Sequence, residues 1–221
     1  MCIRDSTWTR RADPPFGDRL SQSAWGDGRL VIWGASPHTV HDPDGLVSGY
    51  DWGAGYEPGS DRWTMLPDQP TDAPITTGSP AFVGDQLIVW GSDATDATRT
   101  AGYRLRLGDR AWRTMAPAPI APIEWFEGTP GSQTLAPDPA QRRLVVYPTH
   151  GSEHGGRAAG SPPPDILTYD PVADRWGMLG PAPIDWFAPD LTVGGGQVLV
   201  PMWDDPILDV TVDPGPNAKG H

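Results

Sequence analysis

Short apolar runs recur along this chain at a fixed interval. Leu30-Val31-Ile32-Trp33, Leu87-Ile88-Val89-Trp90 and Leu144-Val145-Val146-Tyr147 begin at residues 30, 87 and 144, two equal steps of 57, and Val198-Leu199-Val200 begins 54 residues after the third. Each run follows a turn signal: Gly26-Asp27-Gly28, Gly84-Asp85, Asp138-Pro139 and Gly194-Gly195-Gly196. Asp-Gly and glycine-rich turns between β-rich runs predict hairpins. A second phrase recurs downstream. Tyr56, Leu105 and Tyr169 each lead, seven residues on, to Trp63, Trp112 and Trp176. In the clearest copy, Tyr169-Asp170-Pro171 to Trp176, it reads as a strand ending in Tyr, a tight turn, and a strand opening on Trp. No window carries an apolar stripe of helical period longer than a turn or two, and Pro or Gly interrupts almost every stretch of about ten residues.

Each unit therefore reads as a four-stranded antiparallel meander. An example of its first strand is Ser79-Pro80-Ala81-Phe82-Val83; the apolar run is the second strand, the third ends at the Tyr position, and the fourth opens on Trp. Four such strands repeated at roughly 50 residues predict an all-β fold of β-propeller blades. The expected units are 19–74, 75–128 and 129–188, with an incomplete last unit over 189–214 and a tail over 215–221. Residues 7–18, with Trp8 lying 55 residues before Trp63, read as the outer strand and connector of a preceding blade. In the last unit Lys219 stands where the Trp is expected, so its outer strand is missing. Trp8 offers a strand to close a four-bladed ring. The alternative favoured here is a set of about four blades within a larger ring, because Met1–Ser6 match nothing in the repeat and resemble a translated sequencing-adapter scar. On that reading any secretion signal lies upstream.

Tyr169-Asp170-Pro171 followed by Trp176, together with apolar runs ending in Gly34 and Gly91, resembles the Kelch repeat. The family's usual Gly-Gly is replaced by Trp33-Gly34 and Trp90-Gly91 and is absent at Tyr147-Pro148. The resemblance spans nearly all of residues 7–214 and implies the propeller fold. It leaves function open, since Kelch propellers include protein-binding modules, copper oxidases and a sialic-acid mutarotase. The repeated Trp63, Trp112 and Trp176 read as wedges between neighbouring blades, each indole N–H finding a carbonyl.

Composition narrows the function classes. Gly and Pro number 27 each, about a quarter of the chain, yet 11 Trp argue for a packed, turn-rich protein rather than disorder. The formal net charge is −12 and Lys219 is the single lysine, which argues against nucleic-acid partners. Cys2 is the single cysteine, so neither an internal disulfide nor a cysteine-based zinc site is available, and a Tyr–Cys copper cofactor lacks its thiol outside the scar. No apolar run approaches the roughly 18 residues of a membrane span. No cofactor is expected, and the chain reads as a monomer. From the company bacterial Kelch proteins keep, it is expected to be extracytoplasmic or secreted.

In an antiparallel meander the connections from second to third strand share an end with the connections between units. The former are long, at about 35–47, 92–100 and 148–164; the latter carry Glu124-Trp125-Phe126 and Asp185-Trp186-Phe187. Long loops on one face of a rigid scaffold are where binding usually lies. An acid beside aromatics suits sugar recognition, the ring stacking on C–H groups while the carboxylate accepts hydroxyl bonds; the same aromatics serve equally to seal the inner end of a blade. His150-Gly151-Ser152-Glu153-His154 spells an inverted zinc-protease pattern, but that motif needs a helix, and Gly151, Gly155 and Gly156 oppose one. With His38, His41 and Asp42 on the equivalent loop, His150, Glu153 and His154 are the candidate ligands for a divalent cation. No catalytic residue is assigned. The expectation is a non-catalytic binding or scaffold propeller recognising a protein or glycan through its long-loop face; the alternative is a carbohydrate-active or mutarotase-like enzyme using the acid–aromatic connectors.

Overall fold

The computed structural model describes residues 9–15, 21–34, 52–70, 75–93, 100–119, 133–148, 165–182, 192–194, 197–200 and 208–211. These residues are all-β. The first sheet is a meander of β1 (Ser21–Gly26), β2 (Arg29–Gly34), β3 (Trp52–Glu57) and β4 (Arg62–Met65). The second comprises β5 (Ile75–Val83), β6 (Gln86–Asp93), β7 (Thr100–Arg106) and β8 (Arg113–Thr114). The third comprises β9 (Gln133–Asp138), β10 (Arg143–Pro148), β11 (Asp165–Asp170) and β12 (Arg175–Pro181). A last sheet of three strands is formed by β13 (Thr192–Gly194), β14 (Gln197–Val200) and β15 (Leu208–Thr211). All pairings are antiparallel between consecutive strands, and among the described residues no strand of the first sheet pairs with the last. Among the described residues there is no helix long and apolar enough to cross a membrane.

Local chemistry sets the hairpins. Asp27 (φ 50°) and Gly28 (φ 69°) both take the left-handed region between β1 and β2, as a two-residue type I′ turn requires. Between β9 and β10 the turn is held instead by Asp138, whose Oδ1 accepts the amides of Ala140 and Gln141 at 3.1 and 3.2 Å while Oδ2 takes Arg143 Nε at 3.1 Å.

The continuous apolar runs follow from burial on both faces. On β6, Leu87 and Val89 join Val31 and Trp33 of β2 in one core, with Phe82, Tyr103, Leu105 and Trp112. Ile88 and Trp90, one residue out of phase, join Leu144, Val146, Leu167 and Tyr169 of the third sheet in a second core. A strand with alternate side chains sunk into two different cores has no polar face to show, so its sequence does not alternate.

The sheets stack through their first strands: β1 lies against β5, β5 against β9 and β9 against β13. Their short turns point the same way. The Phe82 ring, near the end of β5, sits on Gly26 at the end of β1, where an added Cβ would fall 2.2 Å from the ring. Beside Gly84 of the β5–β6 turn lies the guanidinium of Arg142 from the β9–β10 turn. The chain therefore leaves β2, β6 and β10, and passes between sheets, at the opposite end.

An indole stitches residues 9–15 to the first sheet, the first sheet to the second, and the second to the third. Trp63 Nε1 donates to the Ala12 carbonyl at 2.8 Å, Trp112 Nε1 to that of Pro67 at 2.8 Å, and Trp176 Nε1 to that of Ala116 at 2.7 Å. Ala12, Pro67 and Ala116 each stand four residues after Trp8, Trp63 and Trp112 in the sequence, so one bond is repeated three times in the same register. Trp112 and Trp176 sit between neighbouring sheets, Trp112 packing edge-on against Trp33 with centroids 5.2 Å apart and Trp176 lying against Trp90 as well as Tyr169 of its own sheet, while Trp63 lies against Tyr56 of its own sheet.

We predict that Trp176→Phe, which keeps most of the apolar area but removes the donor to Ala116, lowers stability by about 1 kcal/mol. Urea unfolding followed by near-ultraviolet circular dichroism reads this; a midpoint identical to the parent would show that the indole bond does not hold the seam.

Candidate functional site

The described surface that carries concentrated polar chemistry is the short-turn end of the seams. The β3–β4 turn ends at Asp61 and the β11–β12 turn at Asp174, both at φ 52°. Asp tolerates this left-handed conformation better than most residues because its short side chain bonds locally. There Asp61 Oδ1 accepts the Tyr56 hydroxyl at 2.5 Å and the Ala12 amide at 3.0 Å. Asp174 Oδ1 accepts the Tyr169 hydroxyl at 2.6 Å and the Ala116 amide at 2.9 Å. The residue whose carbonyl receives the indole thus also gives its N–H to the carboxylate two positions before that Trp. Aspartate and tryptophan together grip both polar groups of one residue in the preceding segment.

The third sheet's lock has a further member. Arg104 of β7, largely buried, donates to the Pro171 carbonyl and places Nη2 3.0 Å from Asp174 Oδ2, while Gln86 Nε2 reaches the same carbonyl at 3.5 Å. Burial pushes the Asp174 carboxyl up, but the hydroxyl of Tyr169, the amide of Ala116 and the charge of Arg104 outweigh it together and hold it below the ordinary aspartate value. Asp61 is held low chiefly by the Tyr56 hydroxyl, then by the Ala12 amide. Burial and the bond to Asp174 raise the Tyr169 phenol, keeping it a donor.

Between the first and second sheets this lock is dismantled. Leu105 replaces the tyrosine, Arg110 the aspartate and Pro67, with no N–H, the donating alanine. The losses match one another: with no amide to bind and no phenol to orient it, a carboxylate at 110 would have neither partner. Gly55 occupies the position of Arg104, each one residue before the Tyr or Leu that precedes the seam Trp. Where Arg104 narrows its seam to a groove of about 170 Å³, the space above Gly55 is a groove of about 430 Å³, bordered by Arg29, Glu57, Met65 and Leu107–Arg110.

The residues singled out from sequence do not meet in this region. Glu124, Trp125, Phe126, Asp185, Trp186 and Phe187, and the candidate metal ligands His38, His41, Asp42, His150, Glu153 and His154, lie outside the described residues. What the described strands establish is where their segments attach. The connections from Gly34 to Trp52, Pro119 to Gln133, Pro148 to Asp165 and Ala182 to Thr192 all open at the end away from the short turns.

Sequence reasoning missed two buried polar groups on the strands and connectors. Asp93, at the end of β6, and Gln69, on the connector after β4, are 3 % and 5 % exposed and both are engaged by partners. No protein-family model matches this chain, and no curated protein matches it either.

The lowered Asp174 carboxyl gives a pH dependence with a definite sign. Because it ionises more readily folded than unfolded, its contribution is complete above the ordinary aspartate value of about 3.9 and is lost as pH falls through the folded value. We predict that Asp174→Asn is less stable than the parent at neutral pH and that the difference narrows as pH falls below the ordinary aspartate value of about 3.9. Urea midpoints measured across that range check it; a difference independent of pH would rule out the charge as its source.

Proposed function

We propose that this chain forms Kelch-type β-propeller blades serving as a non-catalytic binding module, which engages a protein or glycan at the end where the long connections leave. One observation carries this reading: the two ends of the sheets are chemically unequal. At one end the turns are short, and their polar groups are consumed by Asp138, Asp170 and the seam locks. From the other end leave the segments bearing Glu124-Trp125-Phe126 and Asp185-Trp186-Phe187. A rigid scaffold that spends its polar groups at one end and carries its long, chemically rich segments at the other suits recognition at the second.

Support for the blade arrangement comes from the stacking of first strands and the three repeats of the indole bond. Ala12 meets Asp61 and Trp63 as Ala116 meets Asp174 and Trp176, so residues 9–15 act toward the first sheet as a unit's trailing segment acts toward the next.

A saccharide is the first partner to test, because acid–aromatic pairs offer both a stacking face and a hydroxyl acceptor. On a glycan array we expect binding by the parent chain that drops at least about tenfold in Trp125→Ala and Trp186→Ala. Glycan binding unchanged in both variants would remove the connectors from the site. Conversion of the bound sugar would move the reading to the carbohydrate-active alternative.

A further inference from the structure

The groove between the first two sheets has an internal reference, since in the next seam Arg104 narrows the same place to about 170 Å³. There Arg104 is held by the Pro171 carbonyl and Asp174. In the first seam Gly55 supplies no side chain, and a Cβ built on it would meet nothing nearer than Val31 Cγ2 at 4.0 Å. The groove is therefore open from its base. Its volume of about 430 Å³ falls within the roughly 300–1,000 Å³ of small-molecule sites.

The lining states what would fit. Leu105 and Leu107 stand where the other seam has Tyr169 and Pro171, and Met65, 45 % exposed, forms an adaptable apolar edge. The polar acceptor of the next seam, Asp174, is here a cation, Arg110. Arg29 already faces Glu57 at 3.5 Å, and Asp109 faces Arg113 at 3.9 Å. Arg110 makes no ion pair among the described residues, so the groove offers one uncommitted guanidinium beside apolar walls. A guanidinium favours a planar carboxylate or a comparable oxyanion.

We propose that this groove is a binding site for a small apolar molecule bearing one anionic group, an aromatic or short-chain acid, with Arg110 pairing the anion and the leucines and Met65 enclosing the apolar part. The site is separate from the long-connection end and does not depend on the function proposed there.

The test uses 8-anilinonaphthalene-1-sulfonate as probe, titrated into the full chain and followed by fluorescence and by the indole N–H resonance of Trp112, which lies in this seam. Saturable binding at one site is expected, weakened about tenfold in Arg110→Glu and lost in Gly55→Trp, whose apolar side chain occupies the space without adding a cation. The uncharged analogue N-phenyl-1-naphthylamine is expected to bind about tenfold more weakly than the sulfonate. A cooperative urea unfolding transition like the parent's establishes that each variant is folded, and Arg110, being exposed, is the variant least able to disturb folding. Binding unchanged in Arg110→Glu, equal binding of the uncharged analogue, or no shift of the Trp112 resonance would overturn the proposal.

Discussion

The bond from a seam tryptophan to a carbonyl in the preceding segment is the constraint on which the stacking depends. A sheet buried on both faces gains most of its stability from apolar contact, which is non-directional and would tolerate small slides of one sheet over another. The indole N–H is directional and must be satisfied once buried. Placing it against the carbonyl four residues beyond the previous tryptophan sets the height of each of the first three sheets against the segment before it. Trp63, Trp112 and Trp176 repeat this with donor–acceptor distances of 2.7 to 2.8 Å.

Around that common bond the seams differ in how much else they carry. The third sheet's seam adds a carboxylate, a phenol and an arginine: Asp174, to which Tyr169 and Arg104 both bond. The seam between the first two sheets retains the indole alone. Such a network is worth having complete or not at all, because a buried group left without its partner costs more than the group contributes. The joint replacement by Leu105, Arg110 and Pro67 is consistent with that rule, and all three line the groove above Gly55.

Much of the strand plan was legible in the sequence. The apolar runs, the Asp27-Gly28 turn and the seven-residue step from Tyr56 or Tyr169 to its tryptophan are local features, set by residues near in sequence. The role of the tryptophans was legible too, because a large residue with one polar atom, repeated in register, suits a packed seam. The polar lock was not. Asp61 and Asp174 read as ordinary turn residues, since their partners Ala12 and Ala116 lie 49 and 58 residues away. Asp93 and Gln69 were missed because nothing local marks an acid or amide as buried.

By itself, then, the sequence determined an all-β chain of repeated antiparallel meanders, because turn chemistry and apolar runs act within a few residues of one another. The tertiary structure decided which side of each strand enters which core, which carbonyl each indole meets, and where a seam groove is narrow or wide. Those outcomes depend on sheets brought together across tens of residues. Arg104 and Gly55 make the point: equivalent in the repeat, they narrow one seam groove and widen the other only once a neighbouring sheet is in place.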